Sequence, residues 1–130
     1  MYEAVTRAIR VRVTPLFDEE RSNPDNAEYF WVYTINIINE GGEVVQLKAR
    51  HWRIVDAVGH AENVRGPGVV GQTPTIAPGD SFSYTSGCPL KTASGIMSGS
   101  YDMVSATGVR FQIQIPAFSL DSPHAFRSVN

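Results

Sequence analysis

Apolar side chains in this chain return at every second position, segment after segment, and that period restricts the fold more than any other feature. Ile9, Val11 and Val13 alternate with Arg10, Arg12 and Thr14, which predicts a half-buried strand interrupted at Pro15. From Tyr29 to Ile38, Trp31, Tyr33, Ile35 and Ile37 take one side while Phe30 and Val32 take the other. That pattern suits a central strand covered on both faces. Asn39-Glu40-Gly41-Gly42 reads as a hairpin turn into Val44. Val45, Leu47 and Ala49 hold odd positions but Trp52 and Ile54 hold even ones, so a bulge is expected near Arg50-His51. Asp56 to Gly79 shows little periodicity and is expected to hold one short, irregular edge segment.

Phe82 and Tyr84 mark a further strand, with Thr85-Ser86-Gly87 read as the turn that ends it. Met97, Gly99, Tyr101 and Met103 mark the next. Thr107-Gly108 then turns into Phe111, Ile113 and Ile115, and the phase slips at Pro116 before Phe118 and Leu120. No window keeps a helical apolar spacing free of glycine, proline or a better strand reading. The expectation is an all-β domain over residues 1–130, with 121–130 as a loose tail. About seven or more strands with regular turn signals imply a two-sheet sandwich of the fibronectin type III or immunoglobulin kind.

Composition bounds the partners. Eleven Lys+Arg against thirteen Asp+Glu leave a formal charge of -2, which gives no bulk field for nucleic acid or an anionic membrane. The single cysteine, Cys88, excludes an internal disulfide, and its place after Gly87 in the expected turn suggests exposure. No basic-then-apolar leader and no long apolar run are present, so a cytoplasmic protein without membrane insertion is expected.

Gly66-Pro67-Gly68-Val69-Val70-Gly71 fits the dinucleotide pattern G-x-G-x-x-G, but Gln72-Thr73-Pro74-Thr75-Ile76-Ala77-Pro78-Gly79 follows it. Prolines at that point forbid the helix whose N-terminus receives the pyrophosphate in such sites. A backbone nest of Gly66, Gly68 and Gly71 beside Arg65 remains a candidate polyphosphate or dinucleotide site. The structural reading is that the glycines supply positive φ in a tight excursion pinned by Val69-Val70.

Metal ligation points to His51, Asp56 and His60, which meet only if the chain folds back. The acidic stretch Asp18, Glu19, Glu20, Asp25 and Glu28 lacks the regular spacing of a dedicated oxygen-ligand loop and reads as a solvated turn. His51 is expected to be hydrogen-bonded within its strand. Ser86, Ser94 and Cys88 are possible nucleophiles, yet nothing in the spacing sets a base beside any of them, so no enzyme and no cofactor are expected. Aromatic residues such as Trp31, Trp52, Tyr84 and Tyr101 are read as core. A binding module remains, with Asp25 in the polar 18–28 loop, the glycine loop, and Thr85, Ser86 and Gly87 as candidate partner surface.

The chain also resembles the ApaG family, a bacterial family named for its operon neighbourhood with a diadenosine tetraphosphatase. The densest matches are Tyr33-Thr34-Ile35-Asn36-Ile37, Val45-Gln46-Leu47 with Arg50-His51-Trp52, and the glycine loop at 66–71. Ile76-Ala77-Pro78-Gly79, Tyr84-Thr85-Ser86-Gly87 and Gly99-Ser100-Tyr101-Asp102-Met103 complete the set, with Cys88-Pro89 as a local variation. The resemblance implies a fibronectin type III-like sandwich and an association with cobalt resistance and magnesium efflux. It also implies a protein-interaction role, since the same domain is appended to eukaryotic F-box proteins and to a DNA polymerase delta-interacting protein. It carries over no catalytic residues. An efflux phenotype would have to run through an unidentified protein partner, since a sandwich of this kind conducts no ions.

Overall fold

The computed structural model describes residues 1–125; residues 126–130, half of the expected tail, lie outside the described residues. Nine strands follow one another: β1 (Tyr2–Thr6), β2 (Ile9–Phe17), β3 (Tyr29–Asn39), β4 (Val45–Asp56), β5 (Ala61–Pro67), β6 (Thr75–Ile76), β7 (Ser81–Leu90), β8 (Gly95–Ser105) and β9 (Arg110–Leu120). One sheet runs in the order β1-β2-β3-β7 and the other β5-β4-β8-β9, with β6 pairing β4. All pairs are antiparallel. Among the described residues, no helix is long and apolar enough to cross a membrane.

The alternation read from the sequence faces inward as expected. Ile9, Val11, Val13, Trp31, Ile35 and Ile37 from the first sheet meet Leu47, Trp52, Met97, Tyr101, Ile113 and Phe118 from the second, each at most 3% exposed. Burial on this scale, at roughly 25 cal/mol per Å² of apolar surface, supplies the main driving force for the sandwich.

Several expectations are corrected. Asn39-Glu40-Gly41-Gly42 is no hairpin turn, because β3 and β4 belong to different sheets and the segment arches between them. Asn39, 1% exposed, holds the arch: its Nδ2 donates to the carbonyls of Glu43 (2.7 Å) and Ile76 (3.0 Å), and its Oδ1 accepts from Gly41 N–H. β2 continues through Pro15, since β1 reaches only as far as Val13. Beyond that point the flank of β2 is an edge, where the missing N–H costs no ladder bond.

The bulge in β4 lies between Leu47 and Ala49, earlier than expected, and makes Lys48 the extra residue. The slip at Pro116 is real: the β8–β9 register shifts between Met97 and Gly99, opposite it. The 56–79 region contains a seven-residue strand, β5, besides the two-residue β6. At the C-terminal end, residues 121–125 are anchored. Trp31 donates to the Asp121 carbonyl at 2.8 Å, Ser122 Oγ donates to the Ala93 carbonyl at 2.6 Å, and His124 meets Glu19 at 3.1 Å.

Candidate functional site

The two sheets close on one side and part on the other. On the closed side β9 packs against both β1 and β2, and the backbone N–H groups of Gln114 and Ser119 donate to Thr6 Oγ1 and Tyr2 OH. Counting across at one strand per step, β8 and β4 lie over the centre and β5 falls past β7, the last strand of the first sheet. The two free edges bound a cleft of about 410 Å³. Its walls are Tyr33, Tyr84, Ser86 and Cys88 on one sheet, and Arg50, Trp52, Ile54, Glu62 and Val64 on the other.

The bulge at Lys48 builds this wall. Leu47 points to the core, and strict alternation would send Ala49 and His51 inward after it. One extra residue reverses the phase, so that Arg50, Trp52 and Ile54 face the cleft while His51 and Arg53 face outward. Arg50 is half-buried, and its Nη1 donates to the carbonyls of Pro67 (3.0 Å) and Gly68 (3.1 Å). The guanidinium lies directly against Gly66, where a Cβ would meet it at 2.9 Å. Among the described residues neither Arg50 nor Glu62 is ion-paired.

Electrostatics divides the cleft into two ends. Burial raises the Tyr33, Tyr84 and Tyr101 hydroxyls above the usual phenol range, and Arg50 opposes the shift in all three. Burial likewise pushes the Cys88 thiol up to about 11, with the Glu62 carboxylate as the second cause. Arg50 therefore acts on the Tyr84 end and Glu62 on the Cys88 end. Past Glu62 the cleft continues into a groove of about 330 Å³ lined by Asp56, His60, Leu90 and Lys91.

The glycine loop forms one wall of the cleft. Val69 and Gln72 exchange N–H···O bonds of 2.8 Å in both directions, closing a two-residue turn with positive φ at Val70 (43°) and Gly71 (79°). Gly68 N–H donates to the Lys48 carbonyl at 2.8 Å. At Gly68 (φ 59°) an added Cβ would overlap the Gln72 carbonyl oxygen, so glycine is required there. The N–H groups of Gly68 and Val69 in the loop, and of Gln72 after it, are thus bound to backbone carbonyls. Val69 is fully buried and Val70 borders the cleft, whereas Arg65 points away from it, paired in register with His51 on the outer face.

The metal candidates are not brought together. Asp56 and His60 share the β4–β5 turn, but Asp56 Oδ1 accepts from the N–H groups of Val58 and His60, and His51 lies up the strand on the opposite face. No group of three or more potential metal ligands occurs among the described residues. His51 Nε2 is buried and, among the described residues, without the hydrogen bond expected of it.

Thr85, Ser86 and Gly87 form the middle of edge strand β7, not a turn. Thr85 faces outward, its Oγ1 3.0 Å from that of Thr34, while Ser86 faces the cleft. Gly87 underlies the Phe30 ring, which leaves no room for a Cβ. Asp25 stands apart on a 3₁₀ turn (Pro24–Asn26), and its loop belongs with the Leu90 end of β7 through the Tyr29–Leu90 pair. Cys88 is only 3% exposed, contrary to the sequence reading, because it is an inward position of a strand. Arg50 and Glu62 are the residues sequence reasoning passed over.

Fold and cleft together define a fibronectin type III-like β-sandwich with one open side lined by charged and aromatic groups. The chain belongs to the ApaG family: residues 19–105 match the ApaG domain. It is 56% identical to the protein ApaG of Methylorubrum populi and 58% identical to that of Bradyrhizobium diazoefficiens, over 130 residues and the full length of both chains in each case. The crystal structure of an ApaA protein from Bordetella pertussis is similar, with TM-score 0.86 and 44% identity, covering 88% of this chain and 94% of that one. A second structural-genomics X-ray structure gives 0.85 and 45%, covering 92% and 91%.

Proposed function

We propose that this domain is a non-enzymatic interaction module that takes an extended segment of a partner protein alongside β7. What supports this reading is the open side of the sandwich, where residues of the edge strands β7 and β5 line one cleft and strand counting from the β9 contacts sets β5 past β7. From Ser81 to Leu90 the edge contains no Lys, Arg, Asp or Glu, and Pro89 near its end is its one residue of the kinds that natural edge strands use to block another strand. A guest strand would hydrogen-bond to β7 through its backbone and direct alternate side chains into the cleft. The cobalt and magnesium phenotype associated with the family then reaches ion handling through the cytoplasmic partner, without metal at this domain. Polyphosphate binding by the glycine loop is the weaker reading, since the Gly68 and Val69 donors are already engaged.

The test is a photo-reactive side chain placed in cells at Thr85 on β7 or at Glu3 on the opposite edge. A defined adduct is expected from Thr85 and not from Glu3. Ser86→Lys, an inward charge on the edge, should abolish it while circular dichroism shows the fold retained. Adducts that form equally at Glu3, or survive Ser86→Lys, would overturn the proposal, as would an adduct consisting of two copies of this chain.

A further inference from the structure

We infer that the cleft selects the guest strand by charge, taking an acidic side chain at Arg50, an apolar one at Trp52 and Val64, and a basic one at Glu62. This rests on strand addition at β7 and specifies what is recognised there.

The spacing follows from the register. Arg50 pairs with Gly66, Trp52 with Val64, and Ile54 with Glu62, all on the cleft side of the β4–β5 ladder. Gly66 and Glu62 are four residues apart, which at strand rise is about 13 Å. Side chains i, i+2 and i+4 of an extended guest project from one face over the same span. Charge, apolar contact and opposite charge therefore fall into step with three successive inward positions of an added strand.

The two ends carry opposite charges, of which the half-buried Arg50 has the greater need of a partner. Arg50 is half-buried with Nη1 committed to two carbonyls and no carboxylate within ion-pair distance among the described residues, an arrangement that an incoming carboxylate completes. Glu62 is likewise unpaired at the other end. The neighbouring Asp56 has one oxygen occupied by the N–H groups of Val58 and His60, and Lys91 lies farther along, beyond Leu90. Between the charged ends, the half-buried Val64 and Ile54 line the cleft above the buried Trp52 and Met97. Every strand pair among the described residues is antiparallel, and a guest that follows suit runs from the Cys88 end to the Tyr84 end. Its order is then basic, spacer, apolar, spacer, acidic.

Three blocked heptapeptides test this by amide NMR titration of the whole chain: Thr-Lys-Thr-Leu-Thr-Glu-Thr, and the versions with Glu at both charged positions or Lys at both. The Lys/Glu peptide is expected to shift β7 amides and to bind about ten-fold more tightly than either like-charged peptide. Glu62→Lys alters an exposed side chain and should leave the fold intact while making the Glu/Glu peptide the preferred one. Equal affinities for all three peptides at β7 would overturn the charge selection and leave strand addition standing. An order of affinity that Glu62→Lys does not change would overturn it too, as would titrations in which none of the peptides shifts β7. Cross-links that map away from β7 would remove strand addition itself.

Discussion

Tyr84 on β7 and Tyr101 on β8 join the two sheets through their hydroxyls, 2.5 Å apart in the interior. Tyr101 is fully buried and Tyr84 only 9% exposed, so each hydroxyl depends on the other for its hydrogen bond. Removing one partner strands the other. Tyr84→Phe is expected to cost about 2 kcal/mol in urea denaturation, while Tyr84→Phe with Tyr101→Phe should recover most of that loss. A double variant less stable than the sum of the singles would contradict the pairing.

The same groups make the protein sensitive to alkali. The Cys88 thiol is raised from 9.0 to about 11, and burial also raises Tyr33, Tyr84 and Tyr101 above 10.0. In each case the unfolded chain loses its proton first. Their stabilisation is thus complete below pH 9 and falls as pH rises through the folded values. The urea midpoint should be flat up to pH 9 and then decline, with Cys88 contributing about 2 kcal/mol of the loss by pH 11. Cys88→Ala should delay the onset to about pH 10, where the tyrosines take over.

Sequence reading worked where one face of a strand is uniformly apolar. Trp31 to Ile37 on β3 and Phe111 to Ile115 on β9 needed only the period of two. Edges were harder to read. β1 escaped notice because Arg7-Ala8, which turns it into β2 with φ of 50° and 62°, carries neither glycine nor asparagine as a turn signal. β5 carries Glu62, Asn63 and Arg65 around Val64, its one large apolar residue, and such a strand resembles a loop. Thr85-Ser86-Gly87 has turn composition, yet its glycine serves the close approach of Phe30. The candidate site was missed for a related reason. The change of phase after Leu47 was visible, but placing the bulge at Lys48 rather than near Arg50 decides that the guanidinium enters the cleft.

Divalent metal should leave the domain unaffected. Asp56 and His60 are tied into their own turn and His51 is remote, so Mg²⁺ or Co²⁺ has no preformed ligand set among the described residues. Thermal unfolding in millimolar Mg²⁺, in Co²⁺ and in chelator should coincide. A melting temperature that climbs with free metal concentration would reveal binding to the native state by linkage.

Asn39 tests how the chain passes between sheets. Its buried amide serves three backbone groups of the arch and of β6. Asn39→Ala leaves two carbonyls and one N–H without partners and should cost about 2–3 kcal/mol. Asn39→Asp keeps the acceptor for Gly41 but sets carboxylate oxygen against the Glu43 and Ile76 carbonyls. It should be the worse of the two near neutral pH, with the deficit shrinking in acid as the carboxyl is protonated. Equal losses for both at every pH would mean that the Nδ2 contacts do not hold the arch.

Val70 occupies the first position of the turn after Gly68, with φ of 43°, a conformation unfavourable to a β-branched residue. It is 53% exposed and borders the cleft, so its apolar surface serves the cleft wall more than the core. Val70→Asn should relieve the strain and raise stability by about 1 kcal/mol, since asparagine tolerates left-handed backbone. Gly68→Ala should act in the opposite sense, losing about 2 kcal/mol or more, because its Cβ meets the Gln72 carbonyl that closes the turn. If the loop is shaped for the cleft, Val70→Asn gains stability while weakening the Lys/Glu heptapeptide, because the cleft wall loses apolar surface that the guest would cover. A variant that gains both stability and affinity would instead separate the strained turn from recognition and leave Val70 without a role in the cleft.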